Sequence, residues 1–200
     1  MGVTQIIDVN PFYPLIIKVH YEDFDWNELE PICQQMIKES PYNSTVENSN
    51  GFSSVYNTNN QPHTHPAFEK FYKWLRPVTD NIIYKQKQIV ENYVYAPAMS
   101  WVNVHNNGGL TMEHEHGSAI LVAATYLNLP NGSGFIEFKD PFEYHNGFLP
   151  RQNDIHNWKR VEAQTGDVLL FPGWLRHRTQ PNTTFIDRWV LTTNFLGYTK

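Results

Sequence analysis

The chain has 200 residues, 40% of them apolar, which suits one domain that buries its own core without covalent staples. A formal charge of -5, a pI near 6.0 and the lack of any Lys/Arg run argue against a nucleic-acid partner. Cys33 is the only cysteine, which excludes a disulfide framework and a cysteine-based zinc site and makes a reducing compartment the expectation.

No apolar stretch reaches the roughly eighteen residues of a membrane span. The start, Met1 to Pro14, lacks the basic-then-apolar pattern of a secretory leader. Met1-Gly2 invites N-myristoylation, but Ile6 stands where Ser or Thr is needed. The expectation is a soluble, cytoplasmic protein with no membrane partner. Aromatic residues make up 14% of the chain, which favours strands and a ring-lined pocket.

Ile6 to Val19 is apolar but interrupted by Pro11 and Pro14, as in an extended edge segment. Asp25 is placed to cap a helix over Trp26 to Lys38, with Trp26, Leu29, Ile32 or Cys33, and Met36 or Ile37 at helical spacing. Pro31, a turn in, argues for a later start. Tyr42 to Gln61 is rich in Asn, Ser and Thr and reads as loop, with one short strand around Phe52 to Tyr56. A second helix is expected over about Pro66 to Gln86, kinked or split at Pro77. Its leading His63-Thr64-His65 is a rival metal motif, but between two prolines it reads as a solvated helix start.

From Ile89 the pattern turns to strands: Ile89 to Tyr95, Met99 to His105, Ala119 to Tyr126, Phe135 to Phe138, Val168 to Phe171 and Trp189 to Phe195. The fold class is therefore α+β, mainly β. Residues 1–88 provide helical support and loops, and residues 89–200 a barrel core within a single domain.

His114 and His116 are two apart, so on a strand they offer imidazoles to one face while Glu115 points away. His177, after the strand ending at Phe171 and the turn at Pro172-Gly173, is the best candidate for a third ligand. Imidazoles suit Fe, Zn, Cu and Ni, so spacing alone does not name the metal. Arg188, eleven residues later, could hold a carboxylate in the same barrel with its two-pronged guanidinium, or pair with Asp187 or another acid of the chain. Tyr126 could give that carboxylate a second hydrogen bond or be an ordinary buried tyrosine.

The run Trp101-x-Asn103, His114-x-His116, Tyr126, Phe138-x-Asp140-Pro141, Gly166-Asp167, Phe171-Pro172, His177-x-x-x-Pro181 and Arg188 resembles the 2-oxoglutarate- and Fe(II)-dependent oxygenases. The likeness is to their prolyl-hydroxylase-like branch, and more closely to a group, often bacterial or viral, that carries His-x-His. It spans roughly Phe52 to Phe195, including Asn50 to Ser54 in its N-terminal part. The resemblance implies a double-stranded β-helix, a cupin-like jelly roll with flanking N-terminal helices. It implies Fe(II) on His114, His116 and His177, and 2-oxoglutarate as cosubstrate on Arg188 with Tyr126, Asn103 and Asn194 nearby. The implied reaction consumes O2, hydroxylates a substrate C–H bond, and releases succinate and CO2. Most of the wider family carries Asp or Glu where this chain has His116, and a local bulge would let Glu115 serve instead. Trp101 and Trp174 are expected at the pocket mouth.

Two other readings fit the residues. One is a cupin-like metalloenzyme with three histidines and no cosubstrate, for which Arg188 and Tyr126 would be superfluous. The other is a barrel that binds without catalysis. The substrate, a protein or peptide side chain or a small molecule, and the oligomeric state are not encoded in these motifs. The polar loops Tyr42 to Gln61 and Glu143 to Lys159, with Tyr144, Phe148 and Trp158, are expected to select the substrate.

Overall fold

Strand parity decides which side chains face the helices and which face the opposite sheet. The computed structural model describes residues 15–45, 47–86, 92–142 and 158–200. Its elements are β1 (Ile17–His20), α1 (Trp26–Lys38), β2 (Asn48–Ser53), α2 (Glu69–Asp80), β3 (Tyr93–Thr111), β4 (Leu121–Asn128), β5 (Ile136–Lys139), β6 (Trp158–Val161), β7 (Asp167–Phe171), β8 (His177–Thr179) and β9 (Arg188–Thr199). Short 3-10 turns at Pro62–Thr64 and Pro66–Phe68 lead into α2, and π-helical turns at Asn81–Gln86 follow it. Among the described residues no helix is long and apolar enough to cross a membrane.

α1 begins where the cap predicts, with the Asp25 carboxylate accepting the Asn27 N–H at 3.0 Å. Pro31 does not delay the start. It stands on the exposed face, where water can satisfy the Asn27 carbonyl left without a donor. The second helix likewise runs through the exposed Pro77 and leaves α geometry only after Asp80. Leu29, Cys33, Met36 and Ile37 of α1, and Phe71, Leu75 and Thr79 of α2, form the buried stripes.

The strands form an antiparallel six-stranded sheet, β1-β7-β4-β9-β3-β2, and a three-stranded sheet, β6-β5-β8. Along β4, Leu121, Ala123 and Leu127 pack toward the helices, while Val122, Ala124 and Tyr126 pack toward the small sheet. β7 repeats this with Val168 and Leu170 against Leu169 and Phe171. Burying each Val, Leu or Phe of these two faces is worth about 1.5–3 kcal/mol, so a one-residue slip in register is strongly disfavoured. Two sheets enclosing a second core give the expected jelly-roll arrangement.

Three strand expectations are corrected. Ile89 to Tyr95 and Met99 to His105 are not two strands. From Tyr93 on they belong to one 19-residue strand, and residues 87–91 lie outside the described set. Its pairing with β9 steps from Pro97–Phe195 to Met99–Asn194, a bulge that inserts Ala98. The extra residue switches parity: Tyr93 and Tyr95 face the helices, whereas Trp101, Asn103 and His105 face the interior. The strand expected around Phe52 to Tyr56 lies earlier, as β2, because its partner on β3 runs from Asn103 to Thr111. Trp158 and Lys159, expected in a loop, open β6, while Tyr144 and Phe148 lie outside the described residues. The edge reading of Ile6 to Val19 holds where it is described, since β1 pairs β7 at the rim of the large sheet.

Candidate active site

His114 and His116 leave β3 on a short linker rather than on a continuous strand. His114 forms one antiparallel bridge with His177, each backbone N–H donating to the other's carbonyl at 3.0 Å. The His116 N–H then donates to the Gly173 carbonyl at 2.8 Å. This contact needs glycine, because a Cβ at position 173 would stand 2.2 Å from the Ala119 carbonyl oxygen. The linker is thus pinned at both histidines, and the shared facing expected of a strand survives without one.

The ligand nitrogens of His114, His116 and His177 lie within 4.8 Å of one another, the one such cluster among the described residues. His114 Nδ1 sits 2.8 Å from the Met112 carbonyl and His177 Nδ1 2.9 Å from the Leu175 carbonyl. A carbonyl can only accept, so Nδ1 carries the hydrogen and Nε2 of each ring keeps a free lone pair. His116 Nε2 approaches His177 Nε2 at 3.3 Å. Two imidazoles on one ion, each about 2.0–2.1 Å from it, bring their nitrogens to a comparable separation. Burial pushes all three histidines toward the neutral form. His116 falls to about 3 with His114 adding to the effect, and His177 falls well below its ordinary range. Glu115 is exposed and outside the cluster.

Arg188 is 1% exposed and meets no carboxylate among the described residues. The expected alternative partner, Asp187, accepts instead from Asn106 Nδ2 at 2.8 Å. Arg188 Nη1 donates to the Ser133 and Gln180 carbonyls, and Nη2 to Thr179 Oγ1 at 2.9 Å. Its Nε–H is buried without a partner. Burial lowers the guanidinium pKa to about 10, and the same effect raises that of the neighbouring Tyr126 phenol, which Arg188 partly offsets.

His105, not singled out in the sequence, lies opposite Arg188 across β3 and β9. Its Nε2 is 2.7 Å from Thr111 Oγ1, whose hydroxyl donates onward to Asn48 Oδ1 at 2.8 Å. The Thr111 proton is therefore committed, Nε2 is the donor, and His105 Nδ1 is a bare acceptor. Five buried side-chain polar atoms lack a partner among the described residues. Three of them, His105 Nδ1, Ser133 Oγ and Arg188 Nε, belong to Arg188 and its neighbours. The missed signal was the spacing Trp101-x-Asn103-x-His105, which puts His105 on the face of two residues that were picked.

A cavity of about 340 Å³ joins these groups, with the three histidines, His105, Tyr126 and Asn194 on its wall. Thr179 also lines it, and Arg188 lies behind Thr179. Trp101 stacks on His116 at 5.8 Å and 25°, and Asn103 accepts from Asn48 Nδ2 at 3.1 Å. Trp174 is not at this mouth. It is turned toward a separate hollow with Asp140 and Arg176, while its neighbour Leu175 points inward. The rival His63-x-His65 is structural: His63 Nδ1 engages Ser100 Oγ at 2.8 Å, and His65 Nδ1 accepts the Ala67 N–H.

A cluster of neutral imidazoles with a buried, acid-free arginine in one barrel matches a known pattern. Residues 99–194 fit the family model described as "Putative 2OG-Fe(II) oxygenase". Over that segment the chain is similar to the 2-oxoglutarate/Fe(II) oxygenases. No curated protein matches the chain. Among solved structures, HygX from Streptomyces hygroscopicus with nickel and 2-oxoglutarate bound is similar, with a TM-score of 0.57 and 14% identity over 90% of this chain and 82% of that one. A Pseudomonas putida prolyl-4-hydroxylase gives 0.60 and 16%, over 91% and 92%. The viral collagen prolyl hydroxylase of Paramecium Bursaria Chlorella virus-1, as its 2-oxoglutarate complex, gives 0.57 and 14%, over 91% and 96%. At these identities the likeness is one of fold, the double-stranded β-helix shared by these oxygenases.

Proposed function

We propose that this 2-oxoglutarate- and Fe(II)-dependent oxygenase hydroxylates a substrate C–H bond, with His114, His116 and His177 as the iron ligands and Arg188 as the cosubstrate clamp. The observation that carries this reading is Arg188: a buried guanidinium with no acidic partner among the described residues, its Nε–H idle, directly behind Thr179 on the wall of the three-histidine cavity. Leaving such a charge unpaired is costly, and a bound carboxylate removes the cost. The net reaction takes substrate, O2 and 2-oxoglutarate to hydroxylated substrate, succinate and CO2.

The donor set fits iron, since three neutral imidazoles present lone pairs from one side of the cavity. When bound, iron with O2 supplies the oxidising power, which no side chain here possesses. The protein's own work is positioning. The Met112 and Leu175 carbonyls fix the tautomers of His114 and His177. Arg188 and Tyr126 grip the distal carboxylate of 2-oxoglutarate, the arginine through its unused Nε edge, since Ser133 and Gln180 already occupy Nη1. Three neutral ligands leave the metal its full 2+ charge, and the cosubstrate dianion balances it. Trp101 and Asn103 form the wall on which a protein side chain or small molecule is oriented.

The test is succinate formation from 2-oxoglutarate by protein loaded anaerobically with Fe(II) and then exposed to air. Slow turnover without substrate is expected, lost in Arg188→Ala and in His116→Ala. Tight metal binding with no detectable 2-oxoglutarate binding would instead support the cupin-like metalloenzyme, for which three histidines without a carboxylate are the favouring observation.

A further inference from the structure

Thr179 stands two residues after His177 on β8, so the two side chains share the inward face and both line the cavity. Arg178 between them turns outward to Glu137, its Nε donating at 2.8 Å. Thr179 Oγ1 accepts two hydrogen bonds, one from Arg188 Nη2 at 2.9 Å and one from the Thr111 backbone N–H at 2.8 Å. A hydroxyl group offers two acceptor lone pairs and one hydrogen, so both acceptor places are taken. Only the hydrogen is left to bond, and it has no acceptor among the described residues.

The two donors that pin this oxygen are themselves held. The Thr111 hydroxyl lies between His105 Nε2 at 2.7 Å and Asn48 Oδ1 at 2.8 Å, which fixes its residue at the end of β3. The Arg188 guanidinium is anchored on the Ser133 and Gln180 carbonyls. Strands β3, β8 and β9 thus converge on one hydroxyl, which cannot turn round to accept and is locked as a donor. A guanidinium bonded to its oxygen polarises the O–H and strengthens it as a donor. Such a group suits an anionic oxygen and offers nothing to an ammonium or an amide N–H.

We infer that Thr179 is a further binding residue for 2-oxoglutarate: its hydroxyl donates to an oxygen of the distal carboxylate. This rests on the oxygenase reading proposed above and adds a direct contact to the Nε edge of Arg188. It also gives the arginine a second route to its anion. Arg188 lies behind Thr179, and the polarised hydroxyl carries the influence of its charge to the cavity wall. The arrangement selects for an unprotonated carboxylate at this place, because every group that reaches it is a donor.

The experiment is a calorimetric titration of the Co(II)-loaded full-length protein with 2-oxoglutarate and with 2-oxopentanoate, which has the same five-carbon chain without the distal carboxylate. Thr179→Val keeps the shape and removes the hydroxyl. It should weaken 2-oxoglutarate binding about tenfold or more and change 2-oxopentanoate binding by less than about twofold. Thr179→Ser should restore 2-oxoglutarate binding, and Thr179→Ala replaces the valine variant if that one loses its native circular dichroism. Because valine also deprives Arg188 Nη2 of an acceptor, the substitution is repeated in Arg188→Ala. A direct contact costs about fivefold or more in that background too, whereas an effect transmitted through the guanidinium disappears. No loss in Thr179→Val, or a loss confined to the protein that retains Arg188, would overturn the inference and leave the arginine clamp standing. A wild type that binds 2-oxoglutarate no better than 2-oxopentanoate would overturn the clamp and the inference together.

Discussion

Arg188 and His105 face each other across β3 and β9 in opposite conditions, one charged without an anion and one neutral without a donor. For Arg188 the expected consequence is kinetic. Arg188→Ala should raise the KM for 2-oxoglutarate by about 100-fold, corresponding to the roughly 3 kcal/mol of a buried charge-assisted contact. Arg188→Lys should not rescue it, because an ammonium cannot hold Ser133, Gln180 and Thr179 while offering a free edge. For His105 the consequence is a pH dependence of folding. Burial, reinforced by Arg188, holds its pKa near 3, against about 6.5 in an unfolded chain. Between those values the unfolded state binds a proton that the folded state refuses. Stability is therefore full above about pH 6.5 and falls as the pH drops toward 3, by up to about 1.4 kcal/mol per pH unit. Urea midpoints of the metal-free protein, measured from about pH 7 to about pH 4.5, should show this slope, and His105→Gln should make it shallower. An equal slope in both proteins would mean that His105 protonates in the folded state. His116 and His177 are depressed in the same sense, so the variant reduces the slope without removing it.

Elements were legible where their residues repeat a pattern and illegible where the geometry is set by a neighbour. α1 announces itself through Asp25 and its apolar stripe, and β4, β7 and β9 through apolar runs flanked by turn residues. β3 does not read as one strand, because Pro97 looks like a break and the inserted Ala98 reverses parity there. β8 is three residues long and exists only through pairing with β5 and the bridge to His114. The same division holds at the site. The clustering of the three histidines follows from spacing and order, but the place of His105 opposite Arg188 depends on the sheet register. Trp174 was misplaced because adjacent residues after a turn point in different directions, and Leu175 took the inward one. The turn between β7 and β8 is a sensitive element. Gly173→Ala puts a methyl group against the Ala119 backbone, so the His114–Ala119 linker must move. The expected outcome is at least tenfold weaker metal binding by Co(II) titration with near-native circular dichroism, since the helix-side core is untouched. Unchanged affinity would show that the linker yields elsewhere and that Gly173 does not set the position of His116.

Across the whole molecule the proposed ligands act as a clamp between the two sheets. His177 belongs to β8 and His114 is bridged to it, so these proposed metal ligands ride on the small sheet, whereas Arg188 belongs to β9 of the large one. A 2-oxoglutarate held at both ends would therefore tie the sheets together across a mainly apolar core, adding to the hydrogen bonds that Thr111 and Arg188 already make to Thr179. Binding to the folded state alone stabilises it by about 2.7 kcal/mol at a ligand concentration 100 times Kd. In a protein of this size that raises Tm by about 5–10 °C. Metal added to chelator-treated protein should give a rise of this order in a thermal scan. 2-Oxoglutarate should add a second rise only when metal is present, because one end of the clamp is the metal itself. In Arg188→Ala the metal increment should persist and the cosubstrate increment should shrink to a small fraction, which separates loss of the clamp from damage to the histidine site. If 2-oxoglutarate stabilises Arg188→Ala as much as the wild type, the cosubstrate does not reach β9, and the sheets are not joined through it.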